Sequence, residues 1–226
     1  LIFILMLVSL GCGLTVNLPV DKITTGPVRS ETIKISAPAV ETVDVKLIFG
    51  AGELSLTPGS GSELISGEAS YNVDDFKPKI TIESNLVKME TGHLEISGIP
   101  DVQGAESVKN IWDLALGKQP MNLTIQAGAY KGNYELGGLA IKSLDIGDGA
   151  AEAKLIFSSA NLLPMDTFRY TTGASNVSLS GLGYANFTSM IFRSGAGNYT
   201  LDFGGGLQRD AVVTVEAGMS EVTINV

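Results

Sequence analysis

Met190-Ile191-Phe192-Arg193-Ser194-Gly195-Ala196-Gly197-Asn198-Tyr199-Thr200-Leu201 is the stretch whose reading decides the fold. Met190 and Phe192 stand five and three residues before Gly195, and Tyr199 and Leu201 stand four and six after it. The same arrangement recurs around Gly173, with Phe168, Tyr170, Val177 and Leu179. It recurs around Gly149 (Leu144, Ile146, Ala153, Leu155), Gly218 (Val213, Val215, Val222, Ile224) and Gly50 (Val45, Leu47, Leu54, Leu56). Around Gly128 the front fits, at Leu123 and Ile125, but the back reads two residues late, at Tyr134 and Leu136. A two-residue insertion before Gly132-Asn133-Tyr134 is the expectation there.

The last five of these glycines are 21, 24, 22 and 23 residues apart. Periods in that range indicate solenoids, propellers or arrays. Within each half of the unit the apolar residues alternate, which is the strand period. Between the halves the spacing jumps from two to seven residues. An odd jump would turn the second half inside out in a straight strand. The chain must therefore bend near the glycine, where a residue without Cβ tolerates unusual backbone angles. The reading is all-β: a single-stranded, right-handed β-helix-like solenoid of about 22-residue coils stacked at about 4.8 Å. An antiparallel β-sandwich is the alternative, but hairpins do not require such constant spacing.

Stacked coils also predict side-chain rungs. Asp145 and Arg169 both lie four residues before their glycine, and Glu135 and Lys154 share a position if the insertion is real. Both pairs are expected in contact, each contributing about 0.2–1 kcal/mol.

The chain has 226 residues, 44% hydrophobic and 17% charged, enough to bury a sizeable core in one domain. Its formal charge is −9, with no basic run, so nucleic acid is not an expected partner. Cys12 is the single cysteine and His93 the single histidine. No disulfide framework can form within the chain, and no His/Cys zinc site is expected. No cofactor or metal is implied.

Residues 1–11 form an apolar run too short to span a bilayer and of the length of a signal-peptide h-region. They are read as part of a lipoprotein signal peptide, and the chain is expected to start inside it. Ser9-Leu10-Gly11-Cys12 resembles a bacterial lipobox, although Ser9 and Leu10 depart from its usual residues. That resemblance implies Cys12 as the site of lipid attachment. Two or more acyl chains would hold the protein firmly to a membrane, where one is marginal. Residues 12–30 are read as anchor and tether, able to span roughly 60 Å when extended.

Residues 31–226 are assigned to the solenoid, with an interruption at about 57–120. Strands are expected at 33–35, 43–47, 64–72, 80–82, 94–96 and 111–116, a break at 74–78, and a loop at 98–109. No cap sequence follows Ile224, which suggests a clipped chain or an end that meets another molecule.

The Gly-Ala-Gly corners at 50–52 and 195–197, the Leu64–Asn72 stretch followed by Lys77-Pro78-Lys79, and Ile111-Trp112-Asp113-Leu114 resemble the toast-rack β-solenoid domains. These are similar to the C-terminal domain of Lia-type regulators of the cell-wall antibiotic response. The resemblance covers roughly 31–226. It implies a stacked-coil fold in the bacterial envelope and supplies no catalytic residues. The membrane-spanning part of those regulators has no counterpart here.

Other chemistry is weakly represented. No phosphate-loop or nucleophile-elbow motif occurs. Glu53, Glu152, Asn176, Asn198 and Glu221 follow their glycines by three residues, with Asn133 in the shifted copy. They read as stacked turn residues ahead of calcium ligands. Asp145, Asp148 and Glu152 could form an acidic catalytic group, but a rung and a solvated turn are the plainer reading. Trp112, Tyr130, Tyr134, Tyr184 and Tyr199 could line a sugar- or peptide-binding face, with Tyr134 and Tyr199 at core-facing positions. The expectation is a membrane-anchored envelope lipoprotein, non-enzymatic, acting as a structural or protein-interaction module with an unknown protein partner. A carbohydrate-binding or carbohydrate-active β-helix and an accessory envelope-stress sensor are the alternatives. The structural corners are Gly50, Gly128, Gly149, Gly173, Gly195 and Gly218.

Overall fold

The computed structural model describes residues 25–91 and 108–226. Cys12, His93 and the expected strand at 94–96 lie outside the described residues, as does most of the loop at 98–109.

Four long strands carry the repeat: β7 (Met121–Glu135), β8 (Ile141–Ile156), β9 (Met165–Ser180) and β10 (Phe187–Asp202). They pair in parallel, each with the next, as stacked coils do. β2 (Val43–Pro58) joins the same ladder ahead of β7. At the far end β11 (Val212–Ala217) and β12 (Ser220–Asn225) pair with the two halves of β10. The glycine bends each long strand, so its two halves lie on two faces of the stack. Inward residues fall where the spacing predicts: Leu144, Ile146, Ala153 and Leu155 of β8 are all buried. Their columns run unbroken into one core.

The irregular connections between β8 and β9 and between β9 and β10 are each closed by an asparagine. Asn161, 2% exposed, bonds to both the amide and the carbonyl of Ile141 through its side chain. It thereby stands in for a strand neighbour. Asn186 takes a left-handed conformation (φ 60°) at the start of β10 and donates to the carbonyls of Asn161 and Leu163.

The interruption in the sequence does not interrupt the stack. Gly128 sits directly on Gly50, as its coil follows that of β2 in space. The intervening residues fold to the other side of β2. There β5 (Leu86–Thr91) pairs in parallel with the first half of β2, and β6 (Asn110–Leu116) with the second. Val87 and Met89 align with Val45 and Leu47, while Trp112 and Leu114 align with Leu54 and Leu56. These two strands together flank β2 as one more coil, and residues 92–109 separate them in the sequence. β4 (Pro78–Glu83) then pairs antiparallel to β5. On the other face β3 (Glu63–Tyr71) pairs with β6 and β1 (Arg29–Ser36) with β3, both antiparallel. A switch to antiparallel pairing ends the repeat at this side.

The expected insertion near Gly132 is absent. Gly132 lies opposite Ala153 and Tyr134 opposite Leu155, in the same phase as every other coil. Glycine occupies the inward position because the ring of Tyr130 fills it. A Cβ on Gly132 would lie 2.8 Å from Tyr130 Cε2 and 3.1 Å from Tyr134 Cζ. Apolar spacing alone could not show that a neighbouring ring supplies the missing volume.

Candidate functional site

The six motif glycines form one column. A Cβ added to Gly128, Gly149, Gly173, Gly195 or Gly218 would lie 2.4, 3.1, 2.3, 2.6 or 2.7 Å from the carbonyl oxygen of the glycine before it in the stack. None of these five has a positive φ. The requirement is therefore close approach between coils, not left-handed backbone. Left-handed backbone appears two residues later, at Gly52 (φ 128°) and Gly197 (φ 137°), the closing glycines of the two Gly-Ala-Gly corners.

Inside this corner lies a polar cluster within an apolar core. Asp148 directly precedes Gly149 and turns inward. Its Oδ2 accepts from Tyr170 at 2.7 Å and Tyr130 at 3.3 Å, and its Oδ1 accepts from Thr172 and, at 3.4 Å, from Ser175. Tyr134 donates to Tyr130 at 2.9 Å, and Ser175 Oγ accepts from the Ala151 amide at 2.8 Å. Tyr134, Tyr170, Thr172 and Ser175 are all buried. The cluster spans three successive coils, those of Gly128, Gly149 and Gly173.

Burial raises the phenol pKa of Tyr134 and Tyr170 well above the ordinary value, and the neighbouring Asp148 carboxylate adds to the effect. Tyr130 is raised for the same two reasons in the same order. These hydroxyls stay protonated and donate. A carboxylate already approached by four hydroxyls offers no ready base or nucleophile to a substrate. The solvated turn expected for Asp148 is thus replaced by a network in which a half-buried carboxylate meets buried hydroxyls. Its hydroxyl partners come from coils before and after it, which linear spacing does not reveal.

The remaining candidates separate. Asp145 accepts from Arg169 at 2.8 Å, as the stacking register predicts. Glu135 and Lys154 are offset by two residues and form no ion pair, because the insertion is absent. Glu135 instead accepts from the amides of Gly137 and Ser158. Glu152 faces Lys131 at 3.9 Å. Asn198 donates to Asn176 from both its side chain and its backbone, at 3.0 and 3.3 Å. Asn133 falls outside this row, opposite Lys154. Asp74 pairs with Arg29. Trp112, Tyr130, Tyr134 and Tyr199 are buried, and only Tyr184 of the five aromatics is partly accessible. Trp112 and Tyr130 both stand edge-on to Phe49, at 5.1 and 6.3 Å. A shallow depression of about 400 Å³ lies beside the corner at Thr172, Arg193, Ser194, Gly195, Glu216 and Ala217. The Arg193–Glu216 ion pair (2.8 Å) forms part of its wall.

Among the described residues no group of three or more His, Cys, Asp or Glu side chains could hold a metal ion. No described helix is long and apolar enough to cross a membrane. Asn161 and Asn186 were not legible as ladder residues, since their distances from the motif glycines differ.

Residues 24–167 match the family model described as the N-terminal domain of toast_rack, DUF2154. The chain belongs to the toast-rack family. The match takes in the antiparallel end, the displaced coil and the stack as far as β9. Among solved structures, a candidate cell adhesion protein from Clostridium sporogenes ATCC 15579 superposes on the toast-rack chain with a TM-score of 0.69 at 16% identity. The alignment covers 88% of this chain and 99% of that one, and it shows a shared fold. A candidate adhesin from Parabacteroides distasonis ATCC 8503 aligns at a TM-score of 0.32 and 9% identity, over 89% of this chain and 98% of that one. No curated protein matches the sequence.

Proposed function

We propose that this toast-rack chain is a membrane-anchored lipoprotein of the bacterial cell envelope, facing outside the cytoplasm, whose solenoid is a rigid structural or protein-interaction module. One observation carries the reading: the repeated polar residues bond along the stack. Asp145–Arg169, Arg193–Glu216 and Asn176–Asn198 are rungs, and the inward carboxylate of Asp148 is filled from within. Residues committed to each other in this way build a stiff surface and not a reaction centre. The shared fold of the Clostridium sporogenes candidate cell adhesion protein supports an adhesive or scaffolding use. The lipobox-like Ser9–Cys12 supports the anchor.

Two measurements test the two parts. Cells fed a labelled fatty acid should label the full-length protein, and Cys12→Ser should abolish the label. Equal labelling of both would remove the anchor. Crosslinking in intact membranes, followed by purification of the full chain, should return a discrete envelope protein. An intact, correctly localised chain that returns none would count against the interaction module.

A further inference from the structure

We propose that the Asp148 network is the register key of the stack: it selects one of two pairings of β7 with β8 that the sequence supports. In the observed pairing Gly132 and Tyr134 face inward against Ala153 and Leu155. A shift of two residues would set Tyr134 against Ala153 and Leu136 against Leu155. Such a shift keeps every side chain on its own face, so burial pattern does not forbid it. It would also place Glu135 opposite Lys154, gaining an ion pair, and put leucine where the motif has leucine. By local criteria the shifted pairing looks at least as good.

The inner corner decides against it. In the observed pairing the Tyr134 hydroxyl reaches Tyr130 at 2.9 Å, and Tyr130 reaches Asp148 at 3.3 Å. Gly132 leaves room for both rings, which stack with centroids 6.4 Å apart. Moving Tyr134 two residues along the strand withdraws its hydroxyl from this chain and leaves it buried among apolar groups. Two extra residues would also have to bulge between Ala129 and Gly132, beside the tyrosine that anchors the network. A buried hydroxyl without a partner carries the full desolvation penalty, which exceeds what an exposed ion pair returns. A polar group that fixes register at an otherwise apolar interface is a known use of buried polarity.

Disulfide trapping in the full chain tests this, in a Cys12→Ser background so that only engineered thiols are present. Glu152→Cys is combined with Lys131→Cys, its observed neighbour, or with Asn133→Cys, its neighbour in the shifted pairing. In the observed register residues 133 and 152 are one strand apart and two residues along, about 8 Å, beyond disulfide reach. The first pair should close and the second should not. Adding Asp148→Leu with Tyr130→Phe should raise the shifted disulfide about tenfold relative to the observed one, the effect of losing one or two hydrogen bonds. Leu144→Ala, a core deletion outside the network, should leave that ratio unchanged. An unchanged ratio in the network variant, or an equal rise with Leu144→Ala, overturns the proposal. Should the double variant fail to fold, Tyr130→Phe alone is read by the same ratio, and no rise there overturns it equally.

Discussion

A Cβ atom on Gly173 would lie 2.3 Å from the carbonyl oxygen of Gly149, one coil below. That separation is far inside van der Waals contact, and the obstacle is backbone held by the ladder. The two residues define how closely successive corners approach. They also explain why the repeat keeps glycine at a position whose φ an alanine could adopt.

The column has one exempt member. Gly50 faces the coil formed by β5 and β6, and among the described residues its Cβ would meet only Thr91 Oγ1, at 3.4 Å. Gly173→Ala should therefore destabilise the fold by about 1–3 kcal/mol or more, as overpacking does. Gly50→Ala should stay within about 0.5 kcal/mol of the parent. Urea unfolding, followed by the emission of the single tryptophan, Trp112, measures both. Equal losses at the two positions would show that backbone angle and not inter-coil approach selects the glycine.

Asp145 and Arg169 should couple, and Glu135 and Lys154 should not. The first pair bonds at 2.8 Å with both side chains about half exposed. A double-mutant cycle with alanine should return roughly 0.2–1 kcal/mol, shrinking as salt is added. The second pair is offset by two residues, so its cycle should close near zero. A coupling at Glu135–Lys154 matching that at Asp145–Arg169 would place β7 in the shifted register.

The distribution of legible and illegible features has a physical cause. Alternation about Gly149, Gly173 and Gly195 shows the strand halves, the bend and the inward columns, because each coil repeats its neighbour and burial has a fixed period. The same alternation misplaces Tyr134, since a glycine at 132 scores as a gap although the Tyr130 ring fills it. In the displaced coil, β6 was legible as a strand, whereas β5 (Leu86–Thr91) was not, and neither was the coil they form. Its two halves are separated in the sequence by residues 92–109, and it stacks on the side of β2 away from the chain's later course. Asp148 reads as a turn residue because its partners, Tyr130 and Thr172, lie 18 and 24 residues away. Only the coil spacing brings them together.

Alkaline pH should unfold the protein through its corner tyrosines. Tyr130, Tyr134 and Tyr170 have phenol pKa values raised by burial, and Asp148 raises them further. An unfolded tyrosine ionises near pH 10. Between that value and the folded pKa the native state holds more protons than the unfolded state, so stability falls as pH rises. The contribution is complete below about pH 10 and is lost above it. Tyrosinate absorbance should accordingly lag an ordinary phenol titration and then rise together with loss of the folded signal. The paired variant Tyr134→Phe, Tyr170→Phe should weaken the pH dependence while lowering stability at neutral pH, since each hydroxyl also makes a hydrogen bond there. Full tyrosine ionisation near pH 10 with the fold intact would show that these hydroxyls are open to solvent and that the tyrosine side of the corner is not buried.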